Sequence, residues 1–393
     1  MISLSNHLFR IGTGQAQQII SNKISISEKE IIENRLIDPF LKININQTIK
    51  GKKWENIESE HKKKFNELSV FINALKIHEI NYINLKGLAM LNYYPSFIPR
   101  QSNDFDFLIE NISDFWKCHE ILITLGYSFK YNPMLTKKNN EVLGITKYYK
   151  KIDEQTSIKI EININSFIIS ELCWFNDEDL WSNIVEFKFQ SLNLRIPSDE
   201  MNIIILVIEA SDRPQFFVRD IVDFFYLYNN KNINEQYIIN KLNDKYLISV
   251  FNNLKSSYLS ILSGENTLIG NKTRKKRELI HVFPSIVREN NKVTVAYMRY
   301  LKLAAEKYLY QKGRYKPLKY LDLFMSPKSR FKNGVVTHFI QLFDNKMKFK
   351  WIRYKKYHIL TTPIGIFLAT NFAILDEDEE EEIKDYICIH LIR

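Results

Sequence analysis

The sequence predicts an α+β protein: a mixed sheet with flanking helices, followed by a mainly helical domain and a small C-terminal strand extension. Three observations predict this. An apolar strand at 82–85 runs into Lys86-Gly87 and a short helix, and a second strand at 104–109 alternates acid with aromatic. Amphipathic stretches at 54–80 and 113–125 bracket those strands with helical spacing. From Ser198 the pattern turns to helices, and beyond Phe331 aromatics alternate with lysine. The expected divisions are an N-terminal helical segment (1–80), the sheet-bearing core (81–195), the helical domain (196–330) and a basic, aromatic extension (331–393).

Taken in order, residues 1–50 carry weak periodicity, with a capped helix start in the segment SISEKE at 25–30. Trp54, Ile57, Phe65, Leu68, Phe71, Ile72 and Leu75 recur at helical spacing, a stripe that packs on a core. After the first strand, the short helix at 88–93 is closed by Pro95, and Pro99 keeps the next segment irregular. The helix at 113–125 stops at Gly126, a C-cap glycine. Strands follow at 146–151 and 157–164, joined by a polar turn containing Asp153-Glu154. Helices are expected at 200–210, 218–228, 238–262 and 293–309, with Gly264-Glu265-Asn266 as a loop. The acidic run at 376–382 reads as a solvated hairpin tip between two apolar strands.

The 393 residues suffice for two or three domains with real cores. Hydrophobic residues at 45%, with 26 Phe and 21 Tyr, exclude wholesale disorder. The net charge of +10 favours polyanionic partners, although lysine-rich solvated faces give the same sum. Cys118, Cys173 and Cys388 form no metal spacing and are expected as reduced thiols. The most apolar run, around 203–207, is too short to span a bilayer, and the N-terminus lacks a signal peptide's apolar stretch. The expectation is a cytoplasmic protein without a membrane partner. His281, His338, His358 and His390 lack ligand spacing, which argues against zinc, and no G-x-S-x-G elbow is present.

The chemistry concentrates at 84–110. Residues two apart on a strand share a face, so Asp104 and Asp106 point together while Phe105, Phe107 and Ile109 face the core. Neighbouring carboxylates repel one another, so such a pair usually holds cations. In-line displacement at phosphorus suits this, because two divalent cations about 3.5–4 Å apart clamp the entering and leaving oxygens. Hard Mg²⁺ takes a few carboxylates plus substrate phosphates. Glu161, in an isoleucine-rich strand with Lys159, Asn163 and Asn165 on its polar face, is the third acid; a solvent-facing stripe gives the same pattern. Lys86 and Gly87, where a strand meets a helix, offer N–H groups and a point charge to anionic oxygens, and Arg100 offers a fork.

The segment LKGLAMLNYYPSFIPRQSNDFDFLI (85–109) resembles the hallmark of an uncharacterised bacterial nucleotidyltransferase-like family within the polymerase-beta-type superfamily. Gly126-Tyr127, Glu161-Ile162-Asn163 and Arg219-Asp220-Ile221-Val222-Asp223 extend the likeness, which runs from about 54 to about 228. The resemblance implies a nucleotidyltransferase-like sheet and use of a nucleoside triphosphate, with ATP expected, together with Mg²⁺ or Mn²⁺. It makes Asp104, Asp106 and Glu161 the catalytic metal ligands, and Lys86, Gly87 and Arg100 the nucleotide-binding residues. Two departures stand out: Lys86-Gly87 replaces the superfamily's Gly-Ser, and Asn163 replaces a His.

Other residues have plainer readings. Arg100 pairs as readily with Asp104 as with a substrate, and Asp223 reads as a buried acid paired with Arg213 or Arg219. The basic run at 272–277 and the basic, aromatic stretch at 346–356 suit nucleic acid, but a solvated helix start and a strand over a core suit them better. The expected activity moves a nucleoside monophosphate from the triphosphate to an acceptor (small molecule, peptide, protein or RNA) with release of pyrophosphate. The alternative of another class is a non-catalytic interaction or antitoxin-like protein that keeps the fold and binds a partner or nucleic acid.

Overall fold

A computed structural model of the chain describes residues 4–13, 27–44, 48–96, 99–100, 102, 104–138, 140–170, 173–175, 178–190, 192–211, 216–229, 233–243, 245–263, 326–332, 336–370 and 377–392. The expected helix at 293–309, the loop at 264–266, the basic run at 272–277 and Arg213 lie outside these residues.

The chain begins with helices α1 (Leu4–Gly12), α2 (Glu28–Glu33), α3 (Ile37–Ile43) and α4 (Trp54–Ile77). Ser27 caps α2 in a capping box with Glu30: Glu30 N donates to Ser27 Oγ and Ser27 N to Glu30 Oε2. Then come β1 (Tyr82–Leu85), α5 (Lys86–Met90), β2 (Phe105–Ile109), α6 (Ile112–Thr124), β3 (Ser128–Lys138), β4 (Glu141–Lys151) and β5 (Ser157–Ile164). After two small ribbons, β6 (Phe167–Ser170) with β7 (Cys173–Phe175) and, past α7 (Asp179–Ser182), β8 (Val185–Phe189) with β9 (Leu192–Ile196), the helical part follows. It contains α8 (Asp199–Ser211), α9 (Val218–Tyr228), α10 (Glu235–Leu242) and α11 (Lys245–Leu262). The C-terminal part has a helix, Pro327–Lys332, four strands, β10 (Thr337–Phe343), β11 (Lys350–Tyr354), β12 (Tyr357–Thr362) and β13 (Gly365–Thr370), and a last helix, Glu377–His390.

One nine-stranded sheet, ordered β1-β2-β5-β4-β3-β10-β13-β12-β11, carries the molecule. Only β2 and β5 run parallel; the other neighbours are antiparallel, so the sheet is mixed. The strands of the C-terminal extension continue the core sheet, because β10 pairs with β3 through Thr337 and His338. On one face α4 brings Phe71 against Phe107, ring centroids 5.1 Å apart and edge-on. Both rings are fully buried, and each contributes roughly 2–3 kcal/mol of apolar transfer. Asn111 caps α6 by accepting from Asp114 N, and Gly126 ends that turn at φ +83°, where only glycine is unstrained.

Three features differ from what periodicity predicts. β3 is a strand that alternation does not announce, because register shifts around Tyr131 break its pattern. The helix expected at 238–262 is two helices, broken where Asn243 turns left-handed at φ 39°. The acidic run is no hairpin tip: Glu377 onward is helical, with Ile383 and Ile387 buried one turn apart and four acids in the first turn facing the positive helix end. The stretch at 346–356 contains β11, whose Trp351 lies against Phe331 and Phe339. No described helix is long and apolar enough to cross a membrane.

Candidate active site

Register decides which acids meet. β2 and β5 pair in parallel with Asp106 opposite Glu161, and β4 sets Lys147 opposite Glu161 on its other side. Partners in register share a sheet face, so Asp106, Glu161 and Lys147 project together. Asp104 precedes β2 and joins them through Lys147, whose Nζ lies 2.6 Å from Asp104 Oδ2 and 3.0 Å from Glu161 Oε2. Glu161 is buried, not part of a solvent-facing stripe.

Lys86 completes the cluster. Its Nζ stands 3.0 Å from Asp106 Oδ1, 2.9 Å from Glu161 Oε1 and 3.3 Å from Glu209 Oε1 of α8. Its backbone is left-handed, φ +51°, a conformation that costs a residue with a Cβ roughly 1–2 kcal/mol. Such strain persists only where the surroundings fix it. Here β1 ends and α5 begins within one peptide, and the strained turn directs the side chain at the acids.

Burial alone would strip charge from these groups, and their mutual attraction opposes it. For Lys86, burial pulls the pKa down, but Asp106, Glu161 and Glu209 lift it well above the ordinary lysine value. Burial raises Glu161, yet Lys86 and Lys147 hold it below the usual carboxylate range. Asp106 goes the other way: burial lifts it, Lys86 opposes, and the Glu161 charge beside it adds to the lift. The pair thus keeps Glu161 ionised and leaves Asp106 the more readily protonated member.

The remaining expected site residues fall around this cluster. Gly87 is buried, and a Cβ there would meet Ser102 Oγ at 2.5 Å and Arg100 Nη1 at 3.1 Å. Arg100 is committed to Asp223: Nε donates at 2.9 Å and Nη2 at 2.7 Å, and Tyr94 Oη donates to the same carboxylate at 2.6 Å. Asp223 is the buried, paired acid that its sequence suggests, with Arg100 as the fork. Asn163 is fully buried, its Nδ2 3.4 Å from Phe107 O, and among the described residues its Oδ1 has no hydrogen-bond partner. Lys147 and Glu209 are site residues that sequence reasoning missed. Lys147 is legible only from register; Glu209 carries a signal, a lone acid at the end of the apolar run from Ile203 to Ile208.

A cavity of about 490 Å³ opens beside the cluster, lined by Trp54, His61, Phe65, Gly87, Arg100 and Phe105 among others. None of Lys86, Asp104, Asp106, Lys147, Glu161 and Glu209 is among its lining residues.

Carboxylate oxygens are the donor type that a hard divalent cation takes. Four carboxylates (Asp104, Asp106, Glu161, Glu209) against two ammonium groups (Lys86, Lys147) leave a formal excess of two negative charges. Ammonium groups fill the space between the acids, and among the described residues no group of three or more acids, histidines or cysteines is arranged to hold a metal ion.

No curated protein matches the chain. Among solved structures it is similar to an antigenic nucleotidyltransferase-like protein from Paracoccidioides brasiliensis, at 14% identity, over 51% of this chain and 93% of that one, with a TM-score of 0.30. A putative nucleotidyltransferase from H. pylori is similar at 15% identity, over 53% and 81%, with a TM-score of 0.31. ANT(2'')-Ia in complex with adenylyl-2''-tobramycin is similar at 12% identity, over 49% and 96%, with a TM-score of 0.28. A family model described as uncharacterised nucleotidyltransferase matches residues 44–249, which hold the strained Lys86, the acids on β2 and β5, and Glu209. That match takes in just over half of the chain, and the protein belongs to this family of uncharacterised nucleotidyltransferases.

Proposed function

We propose that the protein moves a nucleoside monophosphate from a nucleoside triphosphate, with ATP the expected donor, to the nucleophile of an acceptor, releasing pyrophosphate. The observation that carries this reading is the register of Asp106 against Glu161, which sets two acids of adjacent strands side by side, with Asp104 joined to Glu161 through Lys147. Asp104, Asp106 and Glu161 would be the residues to hold divalent cations, Mg²⁺ or Mn²⁺, and two such cations would supply charge neutralisation at the entering and leaving oxygens.

The chain's own residues do the rest. Burial raises the Glu161 pKa, but Lys86 and Lys147 hold it below the usual carboxylate range, which suits a metal ligand. Lys86 and Lys147 bring two ammonium groups to the place where phosphate charge would accumulate. Gly87 lets Ser102 and Arg100 close over α5 without a side chain between them. Arg100 acts by holding the loop to α9 through Asp223, and Nη1 is the atom of its fork nearest Gly87. The helical part, through Glu209, forms the other wall.

The test follows α-labelled triphosphates incubated with the protein and a cell extract, alongside Mg²⁺-dependent triphosphate binding. Wild type should transfer label, and Asp104→Asn/Asp106→Asn should lose both transfer and metal-dependent binding. Equal binding and equal transfer in the two proteins would sink the reading. One observation favours a second reading, a non-catalytic binding protein: both lysines already neutralise acids in the cluster. That reading predicts no label transfer and a double variant that keeps its biological effect.

A further inference from the structure

Lys86 makes a three-way ion pair that a mere nucleotide-contacting lysine does not need. Its ammonium lies within 3.3 Å of Asp106, Glu161 and Glu209 at once, with the side chain 16% exposed. Asp106 and Glu161 are 9% and 11% exposed, so neither charge is carried by water. The left-handed backbone at φ +51° is a strained conformation spent on this aim. Lys147 already serves Asp104 and the second oxygen of Glu161. Every acid assigned to a divalent cation is therefore neutralised in part by an ammonium, and the point between Asp106 and Glu161 is filled.

We infer that Lys86 is a displaceable internal counter-ion: its ammonium holds the place between Asp106 and Glu161 in the ligand-free chain and yields it when a divalent cation enters. The inference rests on the metal-and-triphosphate reading above and adds an order to it. A divalent cation and an ammonium repel across so short a gap in a site of low polarity. The ammonium must move, and the triphosphate of the proposed reaction would offer it a new anionic partner. Cation and triphosphate consequently bind together better than either binds alone, and Lys86 carries the coupling. The replacement of Gly-Ser by Lys86-Gly87 then supplies the acids with a resident cation. It keeps Asp106, Glu161 and Glu209 from repelling one another in the ligand-free chain.

Mn²⁺ binding without nucleotide, read from the free-ion electron paramagnetic resonance signal, tests this. Lys86→Met should bind Mn²⁺ roughly tenfold or more tighter than wild type, because the competing charge is gone. Lys86→Arg keeps the charge and its grip on carboxylates, folds where Met removes the ammonium that Asp106, Glu161 and Glu209 share, and should bind Mn²⁺ more weakly than wild type. An imidotriphosphate analogue should tighten Mn²⁺ binding to wild type much more than to Lys86→Met. Lys86→Met no tighter than wild type, or Lys86→Arg equal to wild type, overturns the counter-ion role. If those equal affinities are still lost in Asp104→Asn/Asp106→Asn, the metal reading survives that failure. If no protein retains Mn²⁺ even with the analogue, both fall.

Discussion

Arg100 grips Asp223 through two near-parallel N–H···O bonds of 2.9 and 2.7 Å, tying the loop before β2 to α9 of the helical part. Their side chains are 6% and 2% exposed, so the pair is shielded and its geometry rigid. Burial would raise the Asp223 pKa, but the Arg100 guanidinium holds it below the usual carboxylate range. Removing one partner strands a buried charge. Asp223→Ala should cost about 3–5 kcal/mol of unfolding free energy, and Arg100→Met about as much. The double variant Arg100→Met/Asp223→Ala should fall well short of the sum. Urea denaturation of all four proteins measures the coupling, and additive losses would refute it.

Gly87 is a packing constraint beside the candidate site. An alanine Cβ would sit 2.5 Å from Ser102 Oγ, so Gly87→Ala should destabilise by roughly 1–3 kcal/mol through overpacking. Gly87→Ala/Ser102→Gly removes the clashing hydroxymethyl and should recover most of the loss. Thermal unfolding of both variants decides it; a double variant no better than the single one would place the strain elsewhere.

His119 is buried on α6 with Nδ1 2.8 Å from Tyr148 Oη. Burial pushes its pKa down from 6.5 to about 4, with Glu120 and Lys346 as the nearby charges. A folded-state value below the unfolded one means that neutral His119 stabilises above pH 6.5, and that this contribution is lost as pH falls toward 4. The loss amounts to an order of 2–3 kcal/mol. Urea titrations at pH 7 and pH 4 should show a larger drop for wild type than for His119→Gln; equal drops would remove His119 as the cause.

The C-terminal strands cover the edge of β3. Ending the chain before residue 326 removes β10 and bares the backbone of β3 around Met134 and Leu135. It also takes Phe367 from Phe129, whose ring centroid lies 6.5 Å away. An uncovered strand edge pairs with other chains, so the shortened protein should aggregate in light scattering. A monodisperse product with unchanged melting temperature would show the extension to be an independent unit.

How legible all this was varies by residue. Asp104 and Asp106 follow from a two-residue period, and the helical stripe of α4 from spacing, both short-range patterns that hold in any context. Glu161 is visible as an acid in an apolar strand, yet its register against Asp106 depends on a parallel pairing 55 residues away in sequence. Lys147 and Glu209 reach the same point from β4 and α8, and local pattern does not encode such convergence. The acidic C-terminal run misled for a related reason. Its charge density reads as solvated, while only Ile383 and Ile387, four residues apart and buried against β12 and β13, mark it as a helix.

The sequence by itself determined the α+β order of elements, the strand–Lys86-Gly87–helix junction and the paired acids, because each rests on periodicity or on neighbouring residues. Tertiary structure alone decided that Lys86 points at those acids, that Arg100 pairs with Asp223 rather than with Asp104, and that the C-terminal strands extend the core sheet. Those outcomes depend on strand register and on which faces meet, where burial of charge leaves each ammonium or guanidinium only the carboxylate that the fold brings within reach.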